Sequence, residues 1–137
     1  MSFVPELYDF IGNWKIDRVI EDRLSGQEGR FEGHARFVAD GDVLRYREEG
    51  LLSLTGGPPM TAVREYLWRD AGGRIAVDYC DGRVFHDFDP ADPAAHHACD
   101  PDDYRVRYDF GGWPDWQAEW TVKGPRKDYT MTSRYSR

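Results

Sequence analysis

The sequence predicts an all-β domain, an up-and-down antiparallel β-barrel of about ten strands behind a short N-terminal helical turn. Three observations predict it. Apolar and polar residues alternate with a period of two in run after run, and the connections between runs are short and rich in Gly, Pro and Asp. No stretch carries apolar residues at helical spacing for long enough to make a helix of ten residues. Consecutive antiparallel strands with one apolar face must bury it, and without helices to cover it the sheet pairs with a second sheet or closes on itself. Meander connections favour closure. A barrel of about ten strands is wider than its own side chains fill, so a ligand cavity is expected.

Composition sets the outer bounds. With 137 residues, 40% of them hydrophobic and 15% aromatic, the chain makes one domain with a core of its own, residues 1–137. The net charge is −7, with acidic and basic residues interleaved, which argues against nucleic acid and anionic membranes as partners. Of the 18 basic residues only Lys15, Lys123 and Lys127 are lysine. A codon-biased genome accounts for that better than a phosphate-binding role. No apolar run approaches a membrane span, and Met1-Ser2-Phe3-Val4-Pro5 lacks the pattern of a signal peptide. Cys80 and Cys99 alone do not make a disulfide framework, so a reducing cytoplasm is the expected compartment.

The elements follow in order. Pro5 to Phe10 suits one helical turn, with proline tolerated at its start. Gly12-Asn13-Trp14 opens a strand in which Trp14, Ile16, Arg18 and Ile20 share a face. Phe31, Gly33, Ala35 and Phe37 form the next inner row, then Leu44, Tyr46, Glu48 and Gly50, then Ala62, Arg64, Tyr66 and Trp68 after the loop Thr55 to Pro59. Ile75 to Phe88 reads as two strands joined by a two-residue Asp81-Gly82 turn. That turn sets Cys80 opposite Arg83, Tyr79 opposite Val84, Val77 opposite His86 and Ile75 opposite Phe88. Ile75, Val77, Tyr79, Val84, His86 and Phe88 then share one side, apolar except for a histidine. Ala94 to Cys99 is a short strand, and Tyr104 to Phe110, Trp116 to Val122 and Tyr129 to Arg137 complete the set.

Gly12-Asn13-Trp14, behind a helical turn, resembles the Gly-x-Trp signature of the calycins, the superfamily of lipocalins and fatty-acid-binding proteins. The resemblance implies a lipocalin-like barrel whose floor tryptophan is closed by a basic residue of the last strand, here Arg134 or Arg137. Asp81 to His86 and Gly124 to Tyr129 are similar to runs in a small bacterial family of unassigned function grouped with lipocalin-like domains. The disulfides of secreted lipocalins are absent, which weakens an extracellular carrier role.

The lumen is expected to be aromatic and polar. Seven of the eight tyrosines, all but Tyr8, fall on the inner face with Trp14, Trp68, Trp116 and Trp120. Fatty-acid carriers need aliphatic walls, so this composition points to an aromatic or mixed polar ligand. The inward ionisable set is Arg18, Glu48, Arg64, His86 and His97. Glu48 and Arg64 lie on adjacent strands and either pair with each other or leave Arg64 and Arg18 to clamp a ligand carboxylate or phosphate. His86 is either hydrogen-bonded to a tyrosine or carboxylate, or catalytic. His97 and Cys99 share a strand face, but two ligands do not make a zinc site, and neither metal nor haem is expected. For Cys99 a plain buried cysteine is preferred to an activated thiolate. Lys123 to Lys127 is a solvated turn or a rim patch drawing anions. Asp100, Asp102 and Asp103 lack the glycine and closing glutamate of a calcium loop and are read as turn caps.

Two functions from different classes follow. The first is an intracellular small-molecule binding protein holding an aromatic or anionic metabolite, with Arg18, Tyr46, Glu48, Arg64, Tyr66, His86, His97, Tyr104, Trp120 and Tyr129 as ligand-binding residues. The second is a cofactor-independent acid–base enzyme, decarboxylase- or cyclase-like, as the resemblance to some calycin-like barrels implies. Its candidates are Glu48 or His86 as proton carrier, Arg64 holding a carboxylate, and Tyr46 and Tyr66 donating to developing charge. Neither needs a cofactor. A partner-binding domain is the third reading if the lumen fills with its own side chains, and a homodimer is compatible with the pattern.

Overall fold

A 3-10 turn, Leu7–Phe10, leads directly into strands in the computed structural model, which describes residues 3–137. The strands are β1 (Gly12–Asp22), β2 (Gln27–Asp40), β3 (Val43–Leu54), β4 (Met60–Ala71), β5 (Arg74–Asp78), β6 (Val84–Phe88), β7 (Ala94–Cys99), β8 (Asp102–Asp109), β9 (Trp116–Gly124) and β10 (Lys127–Ser136). All ten form one antiparallel sheet in the order β6-β5-β4-β3-β2-β1-β10-β9-β8-β7. The first and last strands ladder together, Lys15 opposite Ser136 through Asp22 opposite Tyr129. The meander therefore curls into a lipocalin-like barrel, as the alternation predicts.

Closure is incomplete at one seam. β6 and β7 are the two edges of the sheet and have no ladder between them. Their connection contains Pro90 and Pro93, which have no N–H to donate, and each strand is only five or six residues long. Side chains bridge the gap instead: Phe85 meets His97 of β7 edge-on at 5.4 Å, and Phe88 reaches past it to Tyr108 of β8 at 4.4 Å.

The floor is closed by aromatic rings. Phe10, fully buried, packs against Phe37, Trp68, Phe110, Trp113 and Trp116 at centroid distances of 5.1 to 5.7 Å. Trp14 donates its indole N–H to the Phe10 carbonyl at 2.8 Å. Arg137 supplies the basic partner, its guanidinium 4.0 Å above the Trp14 ring while it donates to the carbonyls of Ile11 and Asp9. Arg134 faces outward, opposite Asp17 and Gln117. The calycin-type floor is thus built with Arg137.

The β5–β6 hairpin departs from the expected register at its tip. Tyr79 accepts from the Gly82 N–H at 2.9 Å and donates to the Arg83 carbonyl at 2.8 Å, so the loop has three residues, Cys80, Asp81 and Gly82. Gly82, at φ 90°, takes the left-handed position that ends such a loop. One residue later the ladder slips again: Asp78 faces Val84, while Val77 faces His86. The two shifts cancel, which is why His86 and Phe88 point inward as expected. Between them Phe85 is the extra residue of a β-bulge. It turns into the lumen and is 8% exposed, whereas Val84, expected inside, is 62% exposed.

The backbones of β2 and β3 approach closely at Gly33, which lies opposite Gly50. A Cβ on Gly33 would collide with the Glu49 carbonyl and come within 2.8 Å of the Gly50 Cα. Neither strand has a side chain at this point, and a Cβ on Gly50 would likewise meet the Glu32 carbonyl. Gly33→Ala is expected to destabilise the barrel by about 3 kcal/mol, as overpacked interiors do. Urea unfolding checks this; a midpoint unchanged from wild type would show that the strands have room to separate.

Candidate functional site

The barrel encloses a cavity of about 230 Å³. Its walls include Tyr46, Tyr66, Tyr79, Tyr104, Tyr108, Tyr129 and Tyr135, with Trp68, Trp116 and Trp120. Those seven tyrosines are the ones the alternation turns inward; Tyr8 lies outside on the 3-10 turn. Of the residues the sequence singles out for ligand binding, Arg18, Tyr46, Glu48, Arg64, Tyr66, His86, Tyr104, Trp120 and Tyr129 border this space. His97 does not. Without a ladder to hold β7 against β6, its ring sits over the seam, edge-on to Phe85 and 6.1 Å from Tyr104.

Inside, one polar network crosses the lumen from β1 to β3. Arg18 donates Nη1 to Glu48 Oε2 at 2.6 Å and Nη2 to Oε1 at 3.0 Å, a two-pronged fork, and its Nε donates to Ser133 Oγ on β10 at 2.6 Å. Tyr46 donates to Glu48 Oε1 at 2.5 Å and accepts from Tyr135 at 2.9 Å. Arg18 and Glu48 are 6% and 2% exposed. Burial alone would push the Glu48 carboxyl towards neutrality. The Arg18 hydrogen bonds and charge, with Tyr46, outweigh it and hold the pKa below the ordinary carboxylate range. Of the two arrangements the sequence allows, neither forms as such: Arg64, directly opposite Glu48 on β4, does not pair with it, and Arg18 is not left free to clamp a ligand. Arg18 takes Glu48 instead, because its side chain reaches across the barrel interior with both prongs aligned.

His86 hangs from β6 with its Nε2 2.8 Å from the Tyr108 hydroxyl. Its Nδ1 is buried without a hydrogen-bond partner, as is the indole nitrogen of Trp116. Burial first, and the nearby His97 second, push the His86 pKa down to about 3, so the imidazole is neutral across the physiological range. Burial likewise raises Tyr46 and Tyr108 well above the usual phenol value, and Tyr135 to about 12. The cavity is therefore lined by neutral hydroxyls and one internally balanced ion pair.

Arg64 is the exception. It sits exposed at the rim, and with Glu48 occupied it has no carboxylate within salt-bridge reach among the described residues. Burial raises the Tyr66 and Tyr129 phenols, and the Arg64 charge acts on both in the opposite sense. The tips of the β5–β6 and β9–β10 hairpins share this end of the barrel. Lys127, at the second tip, is bound to the Tyr104 hydroxyl at 3.0 Å and to Asp102 at 3.1 Å. Asp102 and Asp103 thus serve as ion-pair partners, Asp103 for Arg105 and His96, rather than as turn caps. Cys99 is exposed, not buried, and so is Cys80. No three His, Cys, Asp or Glu side chains converge among the described residues. Phe85 is the cavity residue that the alternation leaves out of the inner rows; Ser133 shares its row with Tyr129, Met131 and Tyr135, as the alternation of the last strand expects. The bulge hides Phe85, and what the alternation does not mark is that Ser133 accepts a hydrogen bond from Arg18.

A model of the family described as "Family of unknown function (DUF6314)" matches residues 10–137. No curated protein is similar to the chain at a significant level. Among solved structures, the S-type phycobiliprotein lyase CPES from Guillardia theta superposes with a TM-score of 0.63 at 13% identity, covering 98% of this chain and 90% of the lyase. That likeness establishes the fold: the lyase and this chain share the barrel.

Two outcomes test the electrostatics. Glu48→Gln leaves Arg18 buried without its counter-charge, and stability is expected to drop by about 3–5 kcal/mol; the double change Arg18→Met, Glu48→Leu recovers most of it in the same denaturation assay. For His86, the unfolded chain binds a proton near pH 6.5 that the folded chain refuses until about pH 3. Its contribution is therefore complete above pH 6.5 and erodes as the pH falls, by about 2 kcal/mol at pH 5. Urea titrations at pH 7 and pH 5 should show that loss in the wild type and a smaller loss in His86→Gln.

Proposed function

The chain belongs to the DUF6314 family over residues 10–137, and since that family is one of unknown function, we propose from the cavity itself that the protein binds a small aromatic molecule carrying one acidic group. The observation that carries this reading is the pairing of a neutral, hydroxyl-rich aromatic lumen with a rim cation, Arg64, that has no carboxylate partner among the described residues. A ring enters among the tyrosines and tryptophans; its carboxylate stays at the mouth against the Arg64 guanidinium, whose planar fork suits it. A cavity of about 230 Å³ amounts to roughly eight water volumes and is smaller than typical drug-sized sites, which favours a single substituted ring. The protein is read as an intracellular binding protein.

The acid–base enzyme is the weaker reading. The Glu48 carboxylate already accepts from both prongs of Arg18 and from Tyr46. With its pKa lowered, it neither holds a proton to give nor has a free oxygen to take one. His86 is neutral, and its bond to Tyr108 ties one nitrogen to the wall. A holder of ligand needs none of this to move. The likeness to the lyase adds only that another barrel of this shape exists; its activity on phycobiliproteins is not carried over.

The test is a panel of single-ring aromatic carboxylates titrated into the protein, followed by tryptophan fluorescence. Arg64→Gln should weaken binding of the preferred acid about tenfold, the loss of a charged hydrogen-bond pair, while leaving the urea midpoint within experimental error. Equal affinity for an acid and its uncharged amide would remove Arg64 from the site. No binding by any member of the panel would overturn the reading.

A further inference from the structure

Phe85 is placed by two irregularities, the three-residue hairpin loop and the bulge beside Val77 and Asp78. Their effect is to push one aromatic ring from the edge strand into the lumen. There it lies parallel to Trp120 of β9, centroids 5.1 Å apart and planes 8° apart. It also stacks on Tyr79 at 4.9 Å and on Tyr66 at 5.8 Å, and meets His86, His97 and Tyr104 edge-on. A single side chain thus touches rings from β4, β7, β8 and β9 as well as its own hairpin. It does what a bound aromatic guest would do: it fills the space between opposing walls with a stacked ring.

The backbone that carries it is the least constrained in the barrel. β6 has five residues, a ladder to β5 on one side only, and a bulge in that ladder next to Phe85. Withdrawing the ring towards the seam breaks no hydrogen bond to β7, because there is none to break.

We propose that Phe85 is a gate residue that sets the length of the ligand: in place it limits the cavity to one ring, and when displaced it leaves a second stacking position against Trp120. This rests on the reading of the cavity as an aromatic-acid site and adds a specificity determinant to it. The ligand class excluded by the closed gate is that of fused or paired ring systems bearing an acidic group.

Anilinonaphthalene sulfonate, an anion with two ring systems, and para-hydroxybenzoate, with one, are the probes. The wild-type chain should bind para-hydroxybenzoate and take up anilinonaphthalene sulfonate poorly. Phe85→Ala should raise affinity for the larger probe about tenfold, with para-hydroxybenzoate displacing it, and Phe85→Leu should do so to a smaller degree. Near-ultraviolet circular dichroism reports whether each variant keeps its packed aromatic core; Phe85→Leu carries the test if Phe85→Ala does not. Unchanged affinity for the larger probe in a folded variant that still binds para-hydroxybenzoate would overturn the gate alone. Failure of para-hydroxybenzoate and of every other single-ring acid to bind the wild type would overturn the reading of the cavity on which it rests.

Discussion

The fork between Arg18 and Glu48 is the interaction around which the interior is arranged. It joins β1 to β3 through two hydrogen bonds, and through Ser133, Tyr46 and Tyr135 it reaches β10 and the tyrosine wall. Two charges at this depth are tolerated because both carboxylate oxygens are hydrogen-bonded and all three guanidinium nitrogens donate, two to Glu48 and one to Ser133. The same demand explains why the lumen stays polar. An aliphatic residue at Tyr46 would leave the carboxylate short of a donor, and one at Tyr135 would leave the Tyr46 hydroxyl short of one. What looks like a set of potential catalytic groups is, in its centre, a closed circuit.

That closure decides how the remaining polar residues can be used. With Glu48 satisfied by Arg18, Arg64 keeps its charge at the rim with no carboxylate against it among the described residues. Deeper in, the unpartnered nitrogens of His86 and Trp116 mark places where the walls offer hydrogen bonds that the chain does not itself take up. The ionic and neutral parts of the lumen are therefore separated: balanced charge in the middle, free charge at the mouth, and hydroxyls between them. On the proposed reading, such a gradient would orient an aromatic acid, since its apolar ring loses nothing by entering and its acidic group loses hydration if it follows.

Most of the barrel is written in the alternation of its strands. Trp14, Ile16 and Arg18, or Leu44, Tyr46 and Glu48, face inward because a period of two leaves no other choice once one face is buried. The Gly-x-Trp opening likewise foretells a floor closed by a basic residue, and the fold supplies Arg137. Partner choice is harder to read. Direct opposition favours Glu48 with Arg64, but a curved sheet brings residues from strands two apart in order within reach of a long side chain, and Arg18 spans that distance. The hairpin tip is harder still. Asp81-Gly82 fits both a two-residue and a three-residue loop, and only the bulge at Phe85 restores the register that His86 and Phe88 require. His97 follows from the same limit: alternation gives its face, but the seam decides whether that face sees the lumen.

The seam also bears on how an enclosed site fills. Between any other pair of neighbouring strands, opening the wall would break a ladder of backbone hydrogen bonds in a place where water cannot at once replace them. Between β6 and β7 there is no such ladder, and rings meet across the line instead, Phe85 on His97 of β7 and Phe88 on Tyr108 of β8 behind it. Ring contacts are individually weak and tolerate sliding, so this line can part and re-form while the sheet stays intact. Unladdered edges ordinarily invite pairing with another chain, and here shortness, the prolines of the connection and the outward Asp87 work against it. An edge kept unpaired on both strands, yet packed with aromatic side chains on its inner face, combines a stable barrel with a wall able to yield at one defined place.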